Sequence, residues 1–131
     1  MSRTFEFGIH RDYWLNANQR LHWAQRKNRT AHLRRKAELL ARANLSRGGN
    51  PAETPVHIVA TVSTPTNSRF DPPNAAPTVK ALIDGLVDAG MIPDDDHVHV
   101  PRVSFERGPK TGEPGFYQIV LDLQEVNRRD D

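Results

Sequence analysis

The residues best suited to chemistry in this chain are Asp71, Lys80 and the run Asp94-Asp95-Asp96. Hydrolysing a phosphodiester needs an activated water, neutralised non-bridging oxygens and a stabilised leaving group. One or two Mg²⁺ ions held by carboxylates serve all three needs, and a fixed lysine adds positive charge. Mg²⁺ keeps several of its waters, so two or three well-placed carboxylates suffice. Three aspartates after a proline also read as a solvated acidic turn, and the run alone does not separate the two readings.

The elements that must position these groups lie between Ser68 and His97. Asp71 falls in a proline-broken loop. Pro77 opens a helix on which Val79, Leu82, Ile83, Leu86 and Val87 form one apolar arc, and Gly90 closes it. Lys80 lies at the edge of that arc, where its stem can pack while its amine reaches outward. Asp84, one turn further on, is placed for a weak pair with it. Lys80 to Gly90 spans ~15 Å of helix, and an extended Gly90–Asp95 segment returns ~17 Å. The acidic turn therefore reaches Lys80 only if the chain doubles straight back. In an extended segment Asp94 and Asp96 share the side of Val98 and Val100, with Asp95 opposite. Pro93 and Pro101 favour irregular backbone, which leaves the choice among the three open. His97 and His99 would share one face of a strand, either as metal ligands or as exposed residues beside the site.

The rest of the chain supplies the frame. Thr4–Ile9, Val56–Ser63, Val98–Phe105 and Phe116–Leu123 read as strands. Thr30–Asn44 reads as a helix capped by Thr30, with Leu33, Ala37, Leu40 and Ala41 facing the core. The order β-α-β-α-β-β predicts an α+β single domain over 1–131, a mixed sheet with two main helices packed on it, and a disordered tail from about 124. Between the first strand and first helix, HRDYWLNANQRLHW is rich in aromatic and amide side chains. Tyr13, Trp14 and Trp23 either cap the core or, with the amides and His22, approach a phosphate or base.

Composition narrows the classes. The absence of cysteine excludes thiol catalysis, disulfides and Cys-based zinc sites. No catalytic Ser-His-Asp arrangement, glycine-rich phosphate loop or dinucleotide fingerprint is evident. The N-terminal residues lack an apolar leader core and no run approaches the length of a membrane span, so a cytoplasmic protein is expected. The net charge is only +2, yet nine of the eighteen Lys and Arg lie between Arg20 and Arg47, against the single acid Glu38. That stripe reads either as a phosphate-attracting surface, with Arg34, Arg35 and Arg42 turned away from the apolar arc, or as a solvated helix face.

The segment KALIDGLVDAGMIPDD, from Lys80 onward, resembles the central motif of the RusA-type Holliday junction resolvases, small endodeoxyribonucleases common in phages and prophages. Lys80, Asp84, Leu86, Ala89, Gly90 and the Asp94-Asp95 pair match that motif in type and spacing, and LNANQRLHW resembles the family's Asn-rich loop. The likeness runs from Phe5 to about Val103. It implies a homodimer in the cytoplasm of a bacterial cell or phage-infected host that binds four-way DNA junctions. It further implies paired nicks made with Mg²⁺, for which Mn²⁺ can substitute. By this resemblance the catalytic residues are Asp71, Lys80 and Asp95, and the metal ligands Asp71 and Asp95 with Asp94 or Asp96 assisting. Contacts to DNA would come from Asn16, Asn18, Arg20, His22, Arg34, Arg35, Arg42, Arg69 and Asn74. The chain departs from the family where Pro73 replaces a second loop aspartate and where Asn74 and Lys80 stand three residues further apart. Those changes bear on the metal count, and they raise two alternatives: a junction-binding protein without catalysis, and a branched-DNA nuclease without junction preference.

Overall fold

A computed structural model describes residues 2–126. Four strands, β1 (Ser2–His10), β2 (Val56–Ser63), β3 (Arg102–Arg107) and β4 (Phe116–Glu125), form one mixed sheet in the order β1-β4-β2-β3. β4 runs antiparallel to β1 and β2, whereas β3 is parallel to β2, across the connection that carries α2 (Ala76–Asp88). The other helix, α1 (Trp23–Ser46), joins β1 to β2. The α+β architecture expected from the sequence is the one observed.

Alternation explains which side of the sheet is covered. Phe5, Leu121 and Ala60 are register partners, as are Phe7, Ile119 and Val62, so their side chains line one face. All six are buried, together with Ile9, Val56, Ile58 and Leu123. On α2, Val79, Leu82, Ile83 and Leu86 join the same core, and Thr78, Ala81 and Gly85 are buried as well. Burial around most of a helix follows when one side meets the sheet and the other a second helix. Removing Leu82 or Leu86 from water stabilises the fold by ~2 kcal/mol each.

α1 packs chiefly on α2, and small residues set the approach. A Cβ on Gly85 would lie 2.2 Å from the Arg34 carbonyl oxygen and 2.7 Å from the Ala37 Cβ. Only Leu33, Ala37 and Ala41 of α1 are buried. Leu40, expected in the core, is 40% exposed.

Other boundaries differ from the expectation too. α1 begins at Trp23, capped by His22, whose Nδ1 accepts from the Ala24 N–H at 3.2 Å. Thr30 sits inside the helix, and its hydroxyl donates to the Arg26 carbonyl. No residue of the first two turns is fully buried, so they carry no apolar period to betray them. β3 starts at Arg102 rather than Val98, because residues 97–99 form a turn, with the Val100 amide donating to the Asp96 carbonyl. β4 continues through Gln124 and Glu125, which pair with Ser2 and with Val56 and His57, so these two are strand, not tail. Residues 127–131 of the expected tail lie outside the described residues. Among the described residues no helix is long and apolar enough to cross a membrane.

Candidate functional site

α2 presents Lys80 on its exposed side, and the chain does double back along it. Gly90 adopts φ +82°, the left-handed turn that glycine allows without a side-chain clash. Met91 and Ile92 are then buried against the core, which draws Asp94–Asp96 alongside the helix. The Lys80 ammonium donates to Asp84 Oδ1 at 2.9 Å and forms a close ion pair with Asp95 Oδ2. Asp95, then Asp84, raise the lysine pKa. Lys80 in turn holds the Asp95 carboxyl below the usual carboxylate range. The lysine side chain is 62% exposed, so solvent screens the pair, which contributes ~1 kcal/mol or less.

The neighbouring acids are engaged differently. Asp94 Oδ1 accepts from the Asp95 amide at 2.7 Å. Asp96 Oδ1 accepts from the His99 amide at 2.9 Å and lies 2.6 Å from the His99 ring nitrogen. These contacts depress the Asp96 pKa, the backbone N–H contributing most. His97 and His99 thus lie in a turn that Asp96 organises, rather than side by side on a strand.

Asp71 caps the entry to a 3₁₀ turn, Pro72–Ala75, that runs into α2, and its carbonyl accepts from the Asn74 amide. Its carboxylate makes no hydrogen bond or ion pair among the described residues. The loop before it is held by Arg107, which donates to the carbonyls of Phe70, Thr66 and Ser68 and to the Thr64 hydroxyl over 2.9–3.3 Å. The Asn-rich loop docks on the same end of α2. Thr78, fully buried, donates to the Leu15 carbonyl at 2.7 Å and accepts from the Leu15 amide at 2.9 Å. Ala17 donates to the Asn74 carbonyl. Asn16 and Asn18, which flank Ala17, thereby stand beside the Asp71–Asn74 turn. Of the three aromatics, Trp14 is core, stacked on Tyr117 with centroids 4.2 Å apart, whereas Trp23 is 69% exposed and Tyr13 stacks on His32.

The basic face of α1 is less free than its composition suggests. Arg34 makes a two-pronged contact with Asp88 at 2.5 and 2.8 Å, tying α1 to α2. Arg35 and Arg42 both bond Glu38. Arg26 and Arg29 are turned onto backbone carbonyls of the Asn-rich loop. Arg20, Lys27 and Arg69 make no ion pair among the described residues.

The donor atoms around Lys80 are hard carboxylate oxygens, the kind Mg²⁺ takes. Lys80 engages one oxygen each of Asp84 and Asp95. The second oxygen of each has no hydrogen bond among the described residues. Two such oxygens fit a water-rich Mg²⁺ site, which calls for one or two carboxylates. A closed cage is not preformed: among the described residues no group of three or more His, Asp and Glu side chains converges to hold a metal. Asp84, seen in the sequence only as a partner of Lys80, therefore belongs to the site. Thr78 and Arg107, which position its two loops, carried no motif by which the sequence could single them out.

No protein-family model matches the chain, and no curated protein matches it.

Proposed function

We propose that this protein is a Mg²⁺-dependent endodeoxyribonuclease acting on branched DNA, with the four-way junction as its substrate and paired nicks as its product. The observation that carries this reading is the Lys80 ammonium held between Asp84 and Asp95, on the helix end where the Asn-rich loop and the Asp71 turn also meet. Lys80 places a fixed positive charge where a phosphate oxygen can accept it, and stabilises charge as it builds in the transition state. Asp95 and Asp84 would hold Mg²⁺, and Asp71 is proposed as a further ligand, although no third carboxylate converges on that pair among the described residues. When bound, the ion supplies a more acidic water and neutralises the phosphate. Asn16, Asn18 and Asn74 offer amides to the backbone and bases of DNA, and Arg20, Lys27 and Arg69 offer charge to its phosphates. Such an enzyme works in the cytoplasm of a bacterial cell or phage-infected host, as a homodimer.

The test is cleavage of a labelled four-way junction in Mg²⁺ or Mn²⁺ by wild type and by Asp95→Asn. Wild type nicks opposing strands and the variant binds without nicking. A second reading, junction binding without catalysis, is favoured by the isolation of the Asp71 carboxylate and by Pro73 beside it. Wild type that binds the junction and leaves no nicks in either metal establishes that reading instead. Equal cutting of forks and duplexes marks a nuclease without junction preference.

A further inference from the structure

Trp23 is the most exposed large hydrophobic side chain among the described residues, at 69%. An indole left in water forgoes the burial that its size would allow. Trp14 shows the alternative, buried and stacked on Tyr117. The aromatic neighbour of Trp23 is His22, itself exposed and tilted 34° to it with ring centroids 5.6 Å apart, so most of the indole stays open to solvent.

Topology brings Trp23 to the candidate site. β1 and β2 both run antiparallel to β4, and β3 runs parallel to β2, so β1, β2 and β3 share one direction. α1 and α2 each connect two of these strands, and so both run back along the sheet in the same sense. Their N-terminal ends therefore lie at one end of the molecule, where the Leu15–Thr78 and Ala17–Asn74 bonds tie the Asn-rich loop to α2. Neither helix has an acid in its first turn, so both N-terminal ends favour an anion. The Arg34–Asp88 pair sets the level of one helix against the other. Counting back from it, Lys27 lies ~11 Å along α1 and Lys80 ~12 Å along α2. Lys27 is thus level with Lys80, and Trp23 stands one turn, ~6 Å, beyond it. Trp23 and Lys27, at i and i+4, share a face of α1. Arg20 and Lys27 are exposed and make no ion pair among the described residues.

An open aromatic face beside unpaired cations is the combination that holds single-stranded nucleic acid, since a base stacks on the ring while the cations take its phosphates. Within continuous duplex each base is already stacked on both faces and offers none to an indole. A base released at a branch point does. We propose that Trp23 is the platform on which one unpaired DNA base stacks, with Lys27 and Arg20 on the adjoining phosphates, and that it directs the candidate site to branch points rather than continuous duplex. This deepens the nuclease reading and rests on its DNA substrate, not on cleavage.

Binding is measured without cleavage, in Ca²⁺, on a single-stranded oligonucleotide, a four-way junction and a long matched duplex. Trp14 is buried, so quenching of indole emission by the oligonucleotide reports Trp23. Wild type is quenched. Trp23→Ala loses about tenfold in affinity for the oligonucleotide and the junction but under about twofold for the duplex, and Trp23→Phe recovers most of the loss. Both variants keep the wild-type urea midpoint, because the side chain removed is exposed. An equal loss on duplex and junction, an unchanged junction affinity, or binding without quenching each overturns the platform. So does indole emission that shifts with protein concentration before DNA is added, which marks a second copy seated on Trp23. Wild type that is quenched by the junction and leaves no nicks in Mg²⁺ overturns the nuclease reading alone. Wild type that nicks junctions, with a Trp23→Ala variant that binds them equally well, overturns the platform alone.

Discussion

Asp71 and Asp95 stand before and after the helix that carries Lys80, and their settings are opposite. The backbone around Asp71 is tightly held, by Arg107 upstream and by the Asn74 bonds downstream, while its carboxylate makes no hydrogen bond or ion pair among the described residues. The Asp94–Asp96 turn has each carboxylate committed to a protein partner: an amide, the lysine, and His99. One acid is left for solvent or a cation, and the other is kept ionised by a cation already in the protein. In the proposed metal site, pairing an unengaged carboxylate with a neutralised one would limit the negative charge to be tolerated before the ion binds.

The largest expected effect breaks the neutralised side. Lys80→Ala lowers junction cleavage ~10²–10³-fold, the usual loss when one preorganised electrostatic contact to the reacting group is removed. Junction affinity, read by gel shift in Ca²⁺, changes little. Asp71→Asn sharpens the contrast: cleavage falls while the urea midpoint stays at the wild-type value, because no protein contact is lost.

On the other side, Thr78→Val leaves the buried amide and carbonyl of Leu15 without partners and costs ~2 kcal/mol or more. Denaturant titration measures it, and hydrogen exchange of residues 14–19 localises it. A smaller effect appears in acid. Lys80 keeps the folded-state pKa of Asp95 below its unfolded value, so the pair's contribution is complete above about pH 4 and is lost as pH falls through the depressed value. Wild type and Asp95→Asn therefore differ in stability near neutrality and converge in strong acid; parallel curves throughout would sink the assignment. The smallest effect concerns DNA affinity. Lys27→Ala reduces the salt slope of binding by ~1, as one lost phosphate contact does. Arg34→Ala reduces it less, since that guanidinium is already held by Asp88.

Strand alternation made the frame legible: β2 falls at the residues expected, and Pro77 and Gly90 bracket α2 as local chemistry requires. The alternation of His97-Val98-His99-Val100 imitated a strand where an Asp96 side chain had organised a turn. The start of α1 was hidden because its first two turns bury no apolar side chain and so have no periodicity to show. Within the site, chain length allowed the acidic turn to reach Lys80 but did not choose Asp95 from its neighbours. The pairing of Arg34 with Asp88 did not, because residues 54 apart meet only through helix packing. The same limit hid Arg107, whose four loop contacts have no counterpart in local spacing.

The Thr78 hydroxyl bridges residues 63 apart in the chain, serving Leu15 as a neighbouring strand would. Closing so long a loop costs entropy that local helix formation does not. The Asn-rich loop is therefore expected to settle after α2 has docked on the sheet, later than the local Lys80–Asp84 and Lys80–Asp95 contacts. In a chevron experiment Thr78→Val accordingly raises the unfolding rate and leaves the folding rate near wild type.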